Sequence, residues 1–227
     1  MATTTRKLSP SDFSFLWEEC KRCFYLKTVK GFYRPRPIMP KIFTVIDAEM
    51  KKWFTGRRTE SFAPGLQAGS VQFGEKWVES RPGAIPGSSS TYVIRGKFDT
   101  VVKFDDQSYG VIDFKTSETR PDHVRLYGRQ LHAYARALED PAEGNFALKP
   151  ISRLGLLVFR PSAFSNDTSG TALLAGDLRW IEVPRDDAGF ATFMSEVGSV
   201  LDLPAPPEPA ASCEWCKYRR ESLQNQL

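Results

Sequence analysis

Residues 91–116 constrain the fold more tightly than any other stretch of the chain. β-Branched and aromatic residues flank a polar Asp105-Asp106-Gln107-Ser108 tip followed by Gly110, which is the pattern of a strand, a turn and a second strand. Side chains alternate along a strand, so Val111, Asp113 and Lys115 share one face of the second arm and Ile112, Phe114 and Thr116 the other. The apolar pair Ile112 and Phe114 is expected toward the core, with Asp113 and Lys115 projecting away from it. A hairpin symmetric about Asp106 sets Asp99 opposite Asp113, with Cβ atoms roughly 5 Å apart. Like charges so placed are destabilising unless a cation lies between them, and an all-oxygen site of this kind suits Mg2+ or Mn2+.

At 227 residues the chain has room for one well-buried domain. Its hydrophobic content of 41% and charged content of 26% are those of a soluble globular protein. No stretch approaches the ~20 apolar residues of a membrane span, and Met1 to Lys7 lead into no signal-peptide run, so the expectation is a cytoplasmic protein without membrane contact. A net charge of +4 permits a polyanionic partner without demanding one. The four cysteines fall in two pairs, Cys20-x-x-Cys23 and Cys213-x-x-Cys216, a spacing that in a cytoplasmic chain favours metal binding over disulfides.

Ser9, Pro10 and Asp12 mark a helix start, with Ser9 as N-cap. Phe13, Leu16, Trp17, Cys20 and Phe24 then recur at helical spacing, which predicts one amphipathic helix with Cys20 on its buried stripe and Cys23 a turn further on. The prolines from Pro35 to Pro40 make a loop. A second helix begins at Lys41, with Phe43, Ile46, Met50, Trp53 and Phe54 as its apolar face and Asp47 and Glu49 bordering that face on either side. Residues 55–90 are rich in Gly and Pro, and Phe73 to Val78 reads equally as helix or strand. After a polar connection over residues 116–122, Leu126 to Leu138 is helical and sets Gln130 and Tyr134 one turn apart. His123 and His132 lack partners at ligand spacing and are read as structural or surface residues. Residues 153–159 and 178–183 are strands, Phe190 to Leu201 a helix, and 203–209 a stiff proline-rich linker that carries Cys213 and Cys216 elsewhere. The expected architecture is α/β, built around one mixed sheet.

Two facing carboxylates with a lysine two residues beyond the second suit phosphodiester hydrolysis. The acids would hold a divalent ion that acidifies water and polarises the phosphoryl oxygen, and Lys115 would orient that water and offset developing charge. Gln130 would hydrogen-bond the water or a carboxylate. The bland alternative is a surface hairpin that happens to carry an Asp and a Lys.

The motifs Gly96-Lys97-Phe98-Asp99, Ile112-Asp113-Phe114-Lys115-Thr116 and Gln130-Leu131-His132-Ala133-Tyr134 resemble, in that order, those of the PD-(D/E)xK nuclease superfamily. The likeness is to its RecB-like branch, which includes AddB-like and CRISPR-associated nucleases. It implies a restriction-endonuclease-like mixed central sheet flanked by helices, in a single domain over residues 1–227. It also implies Asp99 and Asp113 as metal ligands together with the Phe114 carbonyl, Lys115 as the catalytic lysine, and Gln130 and Tyr134 beside the site. The early-helix histidine of that branch has no counterpart, since no histidine precedes His123. Asp47 is assigned its place, with Glu49 as the substitute. Iron-sulfur members tie one N-terminal cysteine to three near the C-terminus. Here the third C-terminal position falls on Ser222, and Cys20 and Cys23 with Cys213 and Cys216 make a two-plus-two set. The resemblance places a 4Fe-4S cluster there, ahead of zinc. The activity implied is that of a Mg2+- or Mn2+-dependent deoxyribonuclease, an exonuclease on single-stranded DNA ends in repair, recombination or defence. The alternative is a nucleic-acid-binding or assembly module of the same fold without turnover.

Overall fold

The fold is that of a computed structural model in which residues 4–35, 38–88, 90–117 and 122–225 are described. Arg36 and Pro37 of the proline loop, Ser89, residues 118–121 of the connection after the hairpin and the His123 side chain lie outside the described residues. The chain opens with β1 (Thr5–Leu8) and three short helices, α1 (Pro10–Ser14), α2 (Leu16–Glu19) and α3 (Lys21–Lys30), followed by α4 (Lys41–Phe54). Strands β2 (Gly69–Gly74), β3 (Trp77–Glu79), β4 (Gly83–Ala84), β5 (Thr91–Lys97), β6 (Thr100–Phe104) and β7 (Tyr109–Thr116) lead to α5 (His123–Glu139). The long strands β8 (Ile151–Asn166) and β9 (Ala172–Val183), then α6 (Asp187–Leu201) and α7 (Glu214–Gln224), complete the fold.

The main sheet has the order β2-β6-β7-β8-β9. Only β7 and β8 run parallel, so the sheet is mixed. The β6–β7 hairpin pairs Thr100 with Ile112 and Val101 with Val111, the register expected from a centre at Asp106. Asp106 Oδ1 accepts from the Ser108 N–H (2.9 Å) and hydroxyl (2.7 Å), and Gln107 takes the left-handed conformation the turn requires.

The first arm, however, is two strands. β5 belongs to a smaller sheet with β1, β3 and β4, and the chain kinks at Phe98-Asp99 before entering the main sheet as β6. Both faces of β7 are covered, which corrects the expectation that one faces solvent. Val111 packs with Leu131, Tyr134, Leu154 and Leu156 beneath α5. Ile112 and Phe114 pack with Phe54, Phe62, Val102 and Leu157 on the α4 side. Asp113 is therefore buried, at 4% exposure. Gly96 is required by close packing, because a Cβ there would come within 2.8 Å of Pro10 Cδ and 3.0 Å of Tyr134 Cε1.

Three further expectations are revised. The N-terminal amphipathic helix breaks at Phe15 and again at Cys20, whose extended backbone ends α2 and begins α3. The breaks let Phe13 and Trp17 each meet Phe193 edge-on and Trp17 meet Phe24 in the same way. Ser9 stands at the N-cap position without a side-chain capping bond, its hydroxyl meeting that of Ser11 instead. On α4 only Phe54 is fully buried, with Met50 packed partly beneath, while Phe43 and Trp53 are exposed. Phe73 to Val78 resolves into parts of β2 and β3. His132 is structural: Nε2 accepts from the Asp186 N–H at 2.7 Å and Nδ1 lies 2.7 Å from the Gly128 carbonyl.

Candidate active site

The kink between β5 and β6 sets Asp99 one step beyond the Thr100–Ile112 pair, beside Asp113. Asp113 Oδ1 accepts from Gln130 Nε2 at 3.1 Å, and Gln130 Oε1 in turn accepts from the Ser14 hydroxyl at 3.3 Å. The same hydroxyl has the Leu126 carbonyl as its closer acceptor at 2.8 Å, so it is the Asp113 carboxylate that sets which end of the Gln130 amide faces it. Asp113 Oδ2 is paired with the Lys115 ammonium. That ammonium lies 4.6 Å over the Tyr127 ring. Asp99 Oδ2 accepts the Phe114 N–H at 3.1 Å, while Tyr134 donates to the Lys97 carbonyl at 2.8 Å, steadying β5 just ahead of the kink.

Asp47 reaches the same place from α4. The Lys51 ammonium joins Asp47 Oδ2 (2.6 Å), Asp99 Oδ1 (2.9 Å) and Glu75 Oε1 (3.0 Å). Glu49 points elsewhere, 69% exposed and 3.9 Å from Lys52. The structure thus gathers Asp47, Asp99, Asp113, Lys115 and Gln130, with Tyr134 one turn away and Phe114 contributing its N–H. Lys51 and Glu75 were missed by sequence reasoning. Lys51 had a signal, since it stands at the ion-pair spacing i+4 from Asp47; Glu75, at a positive-φ turn position after β2, had none.

Burial pushes the Asp113 carboxyl up to about 7; the neighbouring Asp99 charge adds to the rise and Lys115 opposes it. Asp47 is raised by burial and by Asp99 and Glu75, against the pull of Lys51. Burial draws both lysines down, but the carboxylates outweigh it and leave Lys51 and Lys115 raised. An all-oxygen donor set from three segments, whose adjacent Asp99 and Asp113 carboxylates have only the Lys51 and Lys115 ammoniums as counter-charge, fits a hard divalent cation.

The sequence profile of the PD-(D/E)XK nuclease superfamily matches residues 37–220, which include every one of these residues except Ser14. The chain belongs to that superfamily. Its mixed sheet flanked by helices is the restriction-endonuclease-like arrangement. No curated protein matches this PD-(D/E)XK chain. Among solved structures, that of SSO0001 superposes with a TM-score of 0.47 and 13% identity, over 88% of this chain and 79% of that one. Among the described residues no helix is long and apolar enough to cross a membrane.

The PD-(D/E)XK chain carries a second cluster. Cys20, Cys23, Cys213 and Cys216 converge, all four sulfurs lying within 4.8 Å of one another. Cys23 Sγ is 3.4 Å from Cys216 and 3.8 Å from Cys213, and Cys20 is 3.9 Å from Cys216, far outside disulfide length. Arg34 donates to Cys213 Sγ at 3.0 Å and pairs with Glu19 at 2.7 Å. Backbone hydrogen bonds at Ala210 and Cys23 overcome burial to bring the Cys20 thiol down to about 7. Such a set suits a thiophilic metal.

Two outcomes follow for the acid cluster. Asp47→Ala should weaken Mn2+ binding, measured by isothermal titration, by tenfold or more, and Glu49→Ala by less than twofold. A raised pKa leaves Asp113 protonated below about 7, so metal must displace a proton there. Mn2+ affinity should accordingly be higher at pH 8 than at pH 6, with proton release seen as a buffer-dependent heat.

Proposed function

We propose that the protein is a Mg2+- or Mn2+-dependent deoxyribonuclease that hydrolyses phosphodiester bonds, acting as an exonuclease on single-stranded DNA ends in cytoplasmic DNA repair, recombination or defence. The observation that carries this reading is the buried Asp113 carboxylate, held between Gln130 and Lys115 beside Asp99. Asp47, Asp99, Asp113 and the Phe114 carbonyl would hold the cation. Bound there, it would supply Lewis acidity toward the phosphoryl oxygen and acidify water. Lys115 orients the attacking water and offsets charge developing on the phosphate. Gln130 keeps Asp113 facing inward, and Tyr134 steadies the strand that delivers Asp99. The exonuclease mode and the preference for single strands rest on the resemblance to the RecB-like branch.

One observation favours the rival reading, a nucleic-acid-binding module without turnover. The Lys51 ammonium already bridges Asp47, Asp99 and Glu75, standing in for part of the charge a divalent ion would bring. Labelled single-stranded DNA with Mn2+ separates the two. Asp99→Ala and Asp113→Ala should abolish cleavage, and Lys115→Ala should lower it by about 100-fold or more while Mn2+ still binds. Parental cleavage by Asp113→Ala at saturating Mn2+ would refute the nuclease.

For the cysteines the proposal is a structural zinc ion, which reverses the sequence ranking. A tetrahedron with Zn–S bonds of about 2.3 Å has edges of about 3.8 Å, close to three of the sulfur contacts at 3.4–3.9 Å, with the whole set inside 4.8 Å. A 4Fe-4S cube sets its thiolates wider apart, since each binds a different iron. Anaerobically purified protein should be colourless with one zinc per chain, and Cys213→Ser should lose both metal and thermal stability. A brown protein with broad visible absorption would restore the iron-sulfur assignment.

A further inference from the structure

A line of aromatic rings runs from the acid cluster toward the cysteine centre, and the chemistry assigned so far uses none of it beyond Tyr127. Tyr127, under the Lys115 ammonium, meets Phe15 edge-on at 5.7 Å between centroids. Phe15 is half exposed and lines a cavity of about 670 Å³ together with Tyr33 and Trp215. Tyr33 and Trp215 also line a neighbouring cavity of about 290 Å³, whose further wall holds Phe32 and Tyr218. Phe32, Tyr33 and Tyr218 are each more than half exposed, at 52%, 66% and 69%.

Cations are interleaved with these rings. Arg219 lies 4.8 Å over Phe32, and Lys27 lies 5.8 Å from the centroid of Tyr33. The acids along the same walls, Asp12 and Glu19, are paired with Lys27 and Arg34. With those pairs formed, what remains on offer is π-faces and the Arg219 cation, the combination that takes successive bases and phosphates of an unpaired strand. A duplex hides its base faces and gains nothing from the rings.

We propose that this aromatic track carries the single-stranded DNA that extends from the scissile phosphate, with bases stacked on Phe15, Tyr33, Phe32 and Tyr218. The proposal deepens the nuclease reading and rests on it for the position of the reacting phosphate. It also gives the cysteine centre a task. Cys213 is the N-cap of α7 and Cys216 lies in its first turn, so the centre fixes the helix that presents Tyr218 and Arg219 opposite Phe32 at the end of α3.

The test compares the parent with Phe32→Ala/Tyr218→Ala, both exposed positions, after equal melting temperature and metal content show the fold intact. Binding of a fluorescent oligothymidylate is read by anisotropy without divalent metal, and hydrolysis of bis(p-nitrophenyl) phosphate with Mn2+. Stacking is worth about five- to 100-fold in affinity per base, so the double variant should bind at least tenfold more weakly. It should hydrolyse the small ester at the parental rate, because that ester reaches only the acids. Phe32→Trp/Tyr218→Trp, which keeps the rings, should restore binding. Parental affinity in the double alanine variant overturns the track, and so does an equal loss of affinity for blunt duplex of the same length. If the parent hydrolyses no ester yet loses the oligomer on removal of the rings, the nuclease reading falls and the binding track stands.

Discussion

The burial of one carboxylate governs this fold. Asp113 sits in a strand covered on both faces, where an ionised group without partners would cost far more than the marginal stability of a domain. Its surroundings are arranged to meet that cost. Gln130 donates from α5, and Lys115 supplies the counter-charge two residues along the strand. The Ser14 hydroxyl of α1 also docks on α5, at the Leu126 carbonyl, 2.8 Å away.

The kink at Phe98-Asp99 answers to the same demand. A straight arm would run β5 and β6 through one sheet. Leaving the small sheet at Lys97 and joining the main sheet at Thr100 turns Asp99 toward Asp113 and toward the ammonium of Lys51. Tyr134 holds the last carbonyl before the kink, and the bare backbone of Gly96 lets Pro10 and Tyr134 approach it. Here the motif glycine serves packing, and packing in turn aims a carboxylate.

The segments that carry the two cysteine pairs are clamped together. Besides the four thiols, the Tyr25 hydroxyl donates to the Leu203 carbonyl at 3.0 Å and Arg22 to that of Pro207 at 2.9 Å, so the proline-rich linker is pinned along α3. Closing a loop this long costs little more entropy than closing a short one, because the cost rises only logarithmically. A metal bound by both pairs makes the closure part of folding.

Local rules were enough for the sequence by itself to determine the hairpin register, the helix carrying Gln130 and Tyr134 and the α/β class. Alternation, turn chemistry and helical spacing act over a few residues, and Asp106, Gln107 and Ser108 specify their turn unaided. Only the tertiary structure decided what those rules do not reach. That β7 is covered on both sides, so that Asp113 is buried, depends on α4 and α5 arriving from far along the chain. That Asp47 rather than Glu49 meets Asp99 depends on how α4 lies across the sheet, and Lys51 and Glu75 join the site only because that placement brings α4 and the turn after β2 together. The helix expected through Cys20 breaks because packing around Phe193 outweighs local propensity. Periodicity tells which residues share a face, but only the long-range contacts determine what that face meets.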